Sequence, residues 1–308
     1  MGTRMLALVF ASAAALALGA GCGGGDSSSG GAITADGSST VGPFTTKAAE
    51  DFKAQGGGDV TVGISGTGGG FERFCAGETD ISNASRPIKD EEAAICAEKG
   101  VEYVELQVAT DALTNVVNSE NDWVTCLTVD QLNAIWEPGS TVSNWNQIDP
   151  SYPDVPLKLY GAGTDSGTFD YFTEVINGEA GASRSDYSAT EDDNVTVQGV
   201  SGDKGGLGYF GFSYFEENRD KLKALEVDGG EGCVVPSVAT AQDGSYRPLA
   251  RPLFMYVKLS ALADSEGLAD FVRYTLENAA AIAEEAQVVP LNQEQVDAEL
   301  QRLAEATA

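Results

Sequence analysis

Hydrophobic positions follow three regimes along the chain. Residues 5–18 are apolar apart from Ser12, follow Arg4, and give way to Gly19, Ala20 and Gly21 before Cys22. A basic start, a short apolar run and small residues at its end predict a secretory signal, and the run is too short to span a membrane with polar flanks. Residues 23–31 are Gly and Ser with one Asp, the composition of a flexible tether. From residue 32 onward, strand-like and helix-like periods alternate. Residues 33–35 read as a strand, and Phe44, Ala48, Ala49 and Phe52 share one face of a following helix. Strands are expected at 60–64, 80–88 with its turn, 101–109 and 113–118, and helices at 71–75 and 90–99. This alternation predicts βαβ units and a largely parallel sheet.

In the middle of the chain, 127–136 reads as a helix with Thr128 as N-cap and Gln131 completing a capping box. A strand at 157–161 and a helix at 169–176 follow, then a polar, acidic loop over 179–194. The apolar segments 195–200 and 209–214 come next, with the glycine-rich 205–212 expected to pack as a tight strand. Residues 251–258 are a strong strand, and 267–278 and 293–306 are helical. A helical end after a second strand-rich unit implies that the chain returns to its first half. The expectation is an α/β protein of two lobes joined by a double crossover, with a cleft between them for a ligand. It divides the chain into a signal (1–21), a tether (22–31), lobe 1 (32–117 and 251–308) and lobe 2 (118–250).

Composition removes several chemistries. There are 18 Lys+Arg, 47 Asp+Glu and no His in 308 residues, a formal charge of −29. Without imidazole there is no Ser-His-Asp or Cys-His dyad, no HExxH zinc site and no His base. The acidic balance argues against coating nucleic acid or anionic lipid. At 42% hydrophobic residues the chain can still build a core. Beyond Cys22, four cysteines remain, and in an exported chain an even number reads as two disulfides with three possible pairings. Cys75 with Cys96 and Cys126 with Cys233 is the pairing expected, since the first two are close and the others then lie wholly in the middle of the chain. With no CxxC and no His, no metal site is expected.

Three segments share one local design: Gly37-Ser38-Ser39-Thr40, Ser65-Gly66-Thr67-Gly68 and Asp165-Ser166-Gly167-Thr168. Each lies between a strand and a helix, where orphan N–H groups, hydroxyls and the helix dipole all favour an anion. Singly, such turns are ordinary N-caps. Repeated in both lobes, they suggest a cage for a small oxyanion. Neither a P-loop nor a dinucleotide fingerprint is present. Arg86 is the candidate bidentate clamp, against a surface pairing with Asp80, and Arg184 is a second cation that could reach the cleft. Glu191-Asp192-Asp193 lacks calcium-loop spacing and reads as a solvated acidic loop.

Those turns, together with Asp80-Ile81-Ser82-Asn83-Ala84-Ser85-Arg86-Pro87-Ile88 and Gly163-Thr164-Asp165-Ser166-Gly167-Thr168-Phe169-Asp170-Tyr171-Phe172, resemble the phosphate-binding proteins of high-affinity phosphate ABC transporters (PstS type) over nearly the whole mature chain. The resemblance implies a two-lobed type 2 periplasmic-binding-protein fold that closes on inorganic phosphate and delivers it to a membrane permease. It implies donors at Ser39, Thr40, Thr67, Ser166, Gly167 and Thr168. Residues 18–22 also resemble a lipobox, implying a lipid anchor on Cys22 at the outer face of the cytoplasmic membrane. Enterobacterial members carry Asp where this chain has Arg86 and Arg where it has Ala162. That Asp accepts the proton of hydrogen phosphate, and Asp165 is the expected replacement, with Asp36 or Asp80 behind it. A monomer without cofactor, metal or nucleic acid is implied. Receptors for sulfate or arsenate, and an exported phosphatase on the same scaffold, are the alternatives.

Overall fold

The computed structural model describes residues 32–164 and 166–308. The expected signal, tether and lipid anchor, and Asp165, lie outside the described residues. The chain begins β1 (Ile33–Gly37), α1 (Gly42–Ala54), β2 (Val60–Val62), α2 (Gly66–Cys75), β3 (Ile81–Ala84) and α3 (Asp90–Glu98). It crosses on β4 (Tyr103–Asn118) and continues through β5 (Cys126–Thr128), α4 (Val129–Trp136), β6 (Lys158–Ala162), α5 (Gly167–Asn177), β7 (Ser188–Thr190), α6 (Asp193–Gly202), β8 (Gly206–Gly211) and α7 (Phe212–Glu217). After β9 (Leu222–Ala224), β10 (Glu226–Asp228), β11 (Cys233–Val234) and α8 (Val238–Gln242), it returns on β12 (Ala250–Lys258) to α9 (Leu259–Asp264), α10 (Glu266–Glu277), α11 (Ala279–Glu285) and α12 (Gln293–Ala306).

One continuous sheet runs β2-β1-β3-β12-β4-β8-β6-β7, with β9 also on β4. Its two wings are parallel, as the βαβ pattern predicts, but β12 is antiparallel to β3 and β4, and β4 to β8. The mixed centre follows from the return of the chain: two long strands crossing in opposite directions pair with each other. Strand β4 is single where the sequence suggests two, because Thr110, Asp111 and Ala112 stay paired with Pro252, Arg251 and Ala250. From Leu113 onward β4 changes partner to β8.

The hydrophobic cores change over at the same place. One core draws on Ile33 to Ala109 and Leu253 to Leu303, another on Leu113 to Leu249. The changeover lies at 110–112, where β4 passes from one core to the other. Smaller clusters back the other faces, around Phe71, Phe74 and Tyr256 in one half and around Val116, Val200 and Phe210 in the other.

Disulfides join Cys75 to Cys96 and Cys126 to Cys233, the pairing read from the sequence. The first ties α2 to α3, and the second ties β5 to β11. Thr128 and Gln131 exchange both capping-box hydrogen bonds, at 3.1 and 3.0 Å. Leu127 itself belongs to β5, so the helix starts after the cap. Residues 195–200 lie inside α6, with Val197 and Val200 buried. Among the described residues, no helix is long and apolar enough to cross a membrane.

Candidate functional site

The turn after β1 has to double back beside β3. Gly37 permits this, since its φ is +137° and a Cβ there would lie 2.2 Å from the Asn83 carbonyl oxygen. Ser38, buried behind the turn, accepts the Thr40 and Val41 N–H groups on its Oγ, which leaves Ser39 and Thr40 at the surface of the turn. The second turn opens α2 at Gly66, whose φ is +79°. There Thr67 Oγ1 accepts the Ser85 N–H at 3.2 Å and lies 3.1 Å from Ser85 Oγ. The third opens α5, where Ser166 Oγ caps the Thr168 N–H at 3.1 Å.

The three turns meet. A cleft of about 200 Å³ is lined by Ser38, Ser39 and Thr40, by Gly66, Thr67, Ser85 and Arg86, by Gly167, Asp170, Tyr171 and Glu174, and by Arg251. A neighbouring hollow of about 190 Å³ shares Ser39, Thr40 and Gly167, and adds Asp111, Ser166, Thr168, Asp193 and Tyr214 among others. All six expected donors thus stand at one locus. The approach is close, because a Cβ on Gly167 would lie 3.2 Å from both Ser39 Oγ and Thr40 Oγ1.

The charged groups divide differently from the sequence reading. Arg86 lines the cleft, but its fork is held by Glu92 through two 2.8 Å bonds, so Glu92 replaces Asp80 as its partner. Hydrogen bonding to Glu92 raises the guanidinium pKa. Burial works to raise the Glu92 carboxyl, yet hydrogen bonds from Arg86 and the Lys89 N–H outweigh it and hold the group below the usual range. Arg184 does not reach the cleft. It is buried within the second core region, with Nε and Nη2 on Asp186 and Nη1 on the Ile135 and Val142 carbonyls, where it ties together the end of α4 and the loop beyond.

Neither fallback acid faces the ligand space. Asp36 accepts the Gly37 and Ser65 N–H groups and pairs with Arg73, and Asp80 accepts the Thr34 N–H and hydroxyl at 2.9 Å each. The acidic segment 191–193 is only partly solvated. Asp192 Oδ1 caps the Asn194 N–H, and burial, reinforced by the charges of Asp192 and Glu191, pushes the Asp193 carboxyl up to about 6.

A model of the PBP superfamily domain matches residues 24–279. Protein SphX of Synechocystis sp. is 50% identical over 265 residues, 85% of this chain and 79% of that one. The phosphate-binding protein PstS of Staphylococcus saprophyticus is 43% identical over 274 residues, 87% and 84% of the two chains. The chain belongs to the PstS-type phosphate-binding proteins. Its fold is likewise that of a possible phosphate-binding protein from Planctomyces limnophilus, known from a crystal structure, with a TM-score of 0.85, 48% identity and coverage of 90% of this chain and 99% of that one.

Within this PstS-type site, sequence reasoning missed Arg251, Tyr171 and Asp111. Asp111 is the sole charged residue between Leu106 and Asn118 in an apolar strand, and a lone carboxylate in such a run demands a buried partner. That partner is Arg251, directly opposite on β12, with Nε and Nη2 each 3.1 Å from Asp111 Oδ2.

Proposed function

We propose that this protein is an extracytoplasmic receptor that holds inorganic phosphate in the cleft and passes it to a membrane-embedded ABC permease. The observation that carries the reading is the convergence of three helix N-terminal turns, rich in hydroxyls, on one small cleft that also carries guanidinium groups. Its volume lies below the ~300–1,000 Å³ of sites for drug-sized ligands, which favours a small anion. The names of the relatives point to the same ligand. In this reading Ser39, Thr40, Thr67, Ser166, Gly167 and Thr168 donate to the phosphate oxygens, and Asp165 accepts the proton that distinguishes hydrogen phosphate from sulfate. Cys22 carries the lipid that keeps the receptor at the outer face of the membrane, and residues 32–117 with 251–308 close against 118–250. The receptor acts as a monomer and without catalysis.

Calorimetric titration of ligand-stripped protein tests this directly. Phosphate should bind with one-to-one stoichiometry, and sulfate weaker by several orders of magnitude, because sulfate would leave a carboxylate facing an unprotonated anion. Equal binding of both ions would make the protein a general oxyanion receptor, and no heat with either would remove the reading altogether.

A further inference from the structure

The cleft holds two guanidinium groups with different commitments. Arg86 has both terminal nitrogens on Glu92, a fully matched pair. Arg251 has Nε on Asp111, and Nη2 shared between Asp111 and Thr40 Oγ1 at 3.1 Å. Among the described residues, no hydrogen bond engages its Nη1. The guanidinium carbon stands 3.6 Å from the centre of the Tyr171 ring, and Tyr171 is itself pinned by donating its hydroxyl to the Pro248 carbonyl at 2.7 Å. Stacking on a buried ring and a carboxylate at one edge hold the planar group in one orientation, and Arg is suited to such a site where Lys is not. Position adds a second consequence. Arg251 sits opposite Asp111, beside the point where β4 changes partner from β12 to β8. It touches Thr40 in the β1–α1 turn and Tyr171 on α5, so both walls of the cleft meet at this side chain.

We propose that Arg251, oriented by Asp111 and Tyr171, is the cation that contacts the bound oxyanion, in place of Arg86, and that it links the anion to both walls of the cleft. This rests on the phosphate reading above. An anion between the three turns receives a charge-assisted contact from Nη1, whereas both terminal nitrogens of Arg86 are already engaged by Glu92. Asp111 is then a positioning residue.

The test is a phosphate titration of wild type, Arg251→Ala, Arg251→Lys, Arg86→Ala and Arg273→Ala, the last removing one charge from an exposed helix position. Binding by wild type tests the phosphate reading itself, and the ratios between variants test Arg251. Arg251→Ala should weaken phosphate by about thirtyfold or more, the usual scale for truncating one member of a buried charged contact. Arg251→Lys should recover part of that loss, and Arg273→Ala should stay within about twofold. Because Arg251→Ala leaves Asp111 unpaired, Arg251→Gln, which keeps a hydrogen-bonding end, provides a second neutral variant with melting curves recorded alongside. A folded Arg251→Ala or Arg251→Gln that binds within about threefold of wild type would overturn the proposal, as would a larger loss in Arg86→Ala than in either.

Discussion

Arg86 and Gly167 each carry a prediction at the scale of single residues. Removing Arg86 takes both hydrogen bonds from Glu92, whose carboxyl is held low by them. Arg86→Ala should therefore cost about 1.5–3 kcal/mol in urea unfolding at neutral pH, the range for hydrogen bonds to charged groups, while weakening phosphate less than tenfold. The sign can be checked by titration. A depressed carboxyl stabilises the folded state above its unfolded pKa and loses that contribution as pH falls through the folded one, so the gap between wild type and variant should shrink toward acid pH. Gly167→Ala places a methyl 3.2 Å from the hydroxyls of Ser39 and Thr40. The expected result is phosphate binding weakened by about tenfold, because crowding of the order of 1–3 kcal/mol arises where the turns must meet around the anion, with melting curves recorded with and without phosphate to separate lost affinity from lost fold stability.

At the scale of elements, the two disulfides differ chiefly in the length of chain they close, with sequence separations of 21 and 107 residues. The loop-entropy model gives about 3 kcal/mol for the shorter and nearly 5 kcal/mol for the longer. Double Cys→Ala variants compared by denaturant midpoint should thus rank Cys126/Cys233 as the costlier loss. Helix α6 contributes a pH dependence through Asp193. With its carboxyl raised to about 6 by burial and by Asp192 and Glu191, the folded state binds the proton more tightly than the unfolded chain does. That contribution is full below an ordinary carboxyl pKa near 4 and is lost as pH rises through 6. Asp193→Asn should remove this part of the pH profile and raise stability at pH 7.5 by about 1–3 kcal/mol, read from melting curves between pH 4.5 and 7.5.

For the whole molecule, a cleft built from two sets of turns is expected to close on its ligand. Phosphate at about a hundred times its Kd should stabilise the protein by about 2.7 kcal/mol by mass action, and small-angle scattering should record a smaller radius of gyration with phosphate than without. An unchanged radius and melting temperature would count against closure. The net charge of −29 does not oppose this at physiological salt, where the Debye length of about 8 Å leaves local donors to decide.

Local order accounts for what was legible beforehand. Alternating strand and helix periods, the Gly-Ser-Thr turns, the Thr128 capping box and the cysteine pairing all depend on neighbours in sequence or on simple spacing, and for that reason the turns that line the cleft could be picked out from the chain alone. Charge partners could not. Arg86 takes Glu92 six residues away and Arg184 sets Nε and Nη2 on Asp186 two residues away, but Arg184 Nη1 reaches backbone carbonyls 42 and 49 residues distant, and Arg251 reaches Asp111 across 140 residues and Thr40 across 211. A guanidinium can satisfy its donors on any acceptor the fold brings near, so only the register of β4 against β12 decides that Arg251 meets Asp111 beside the cleft.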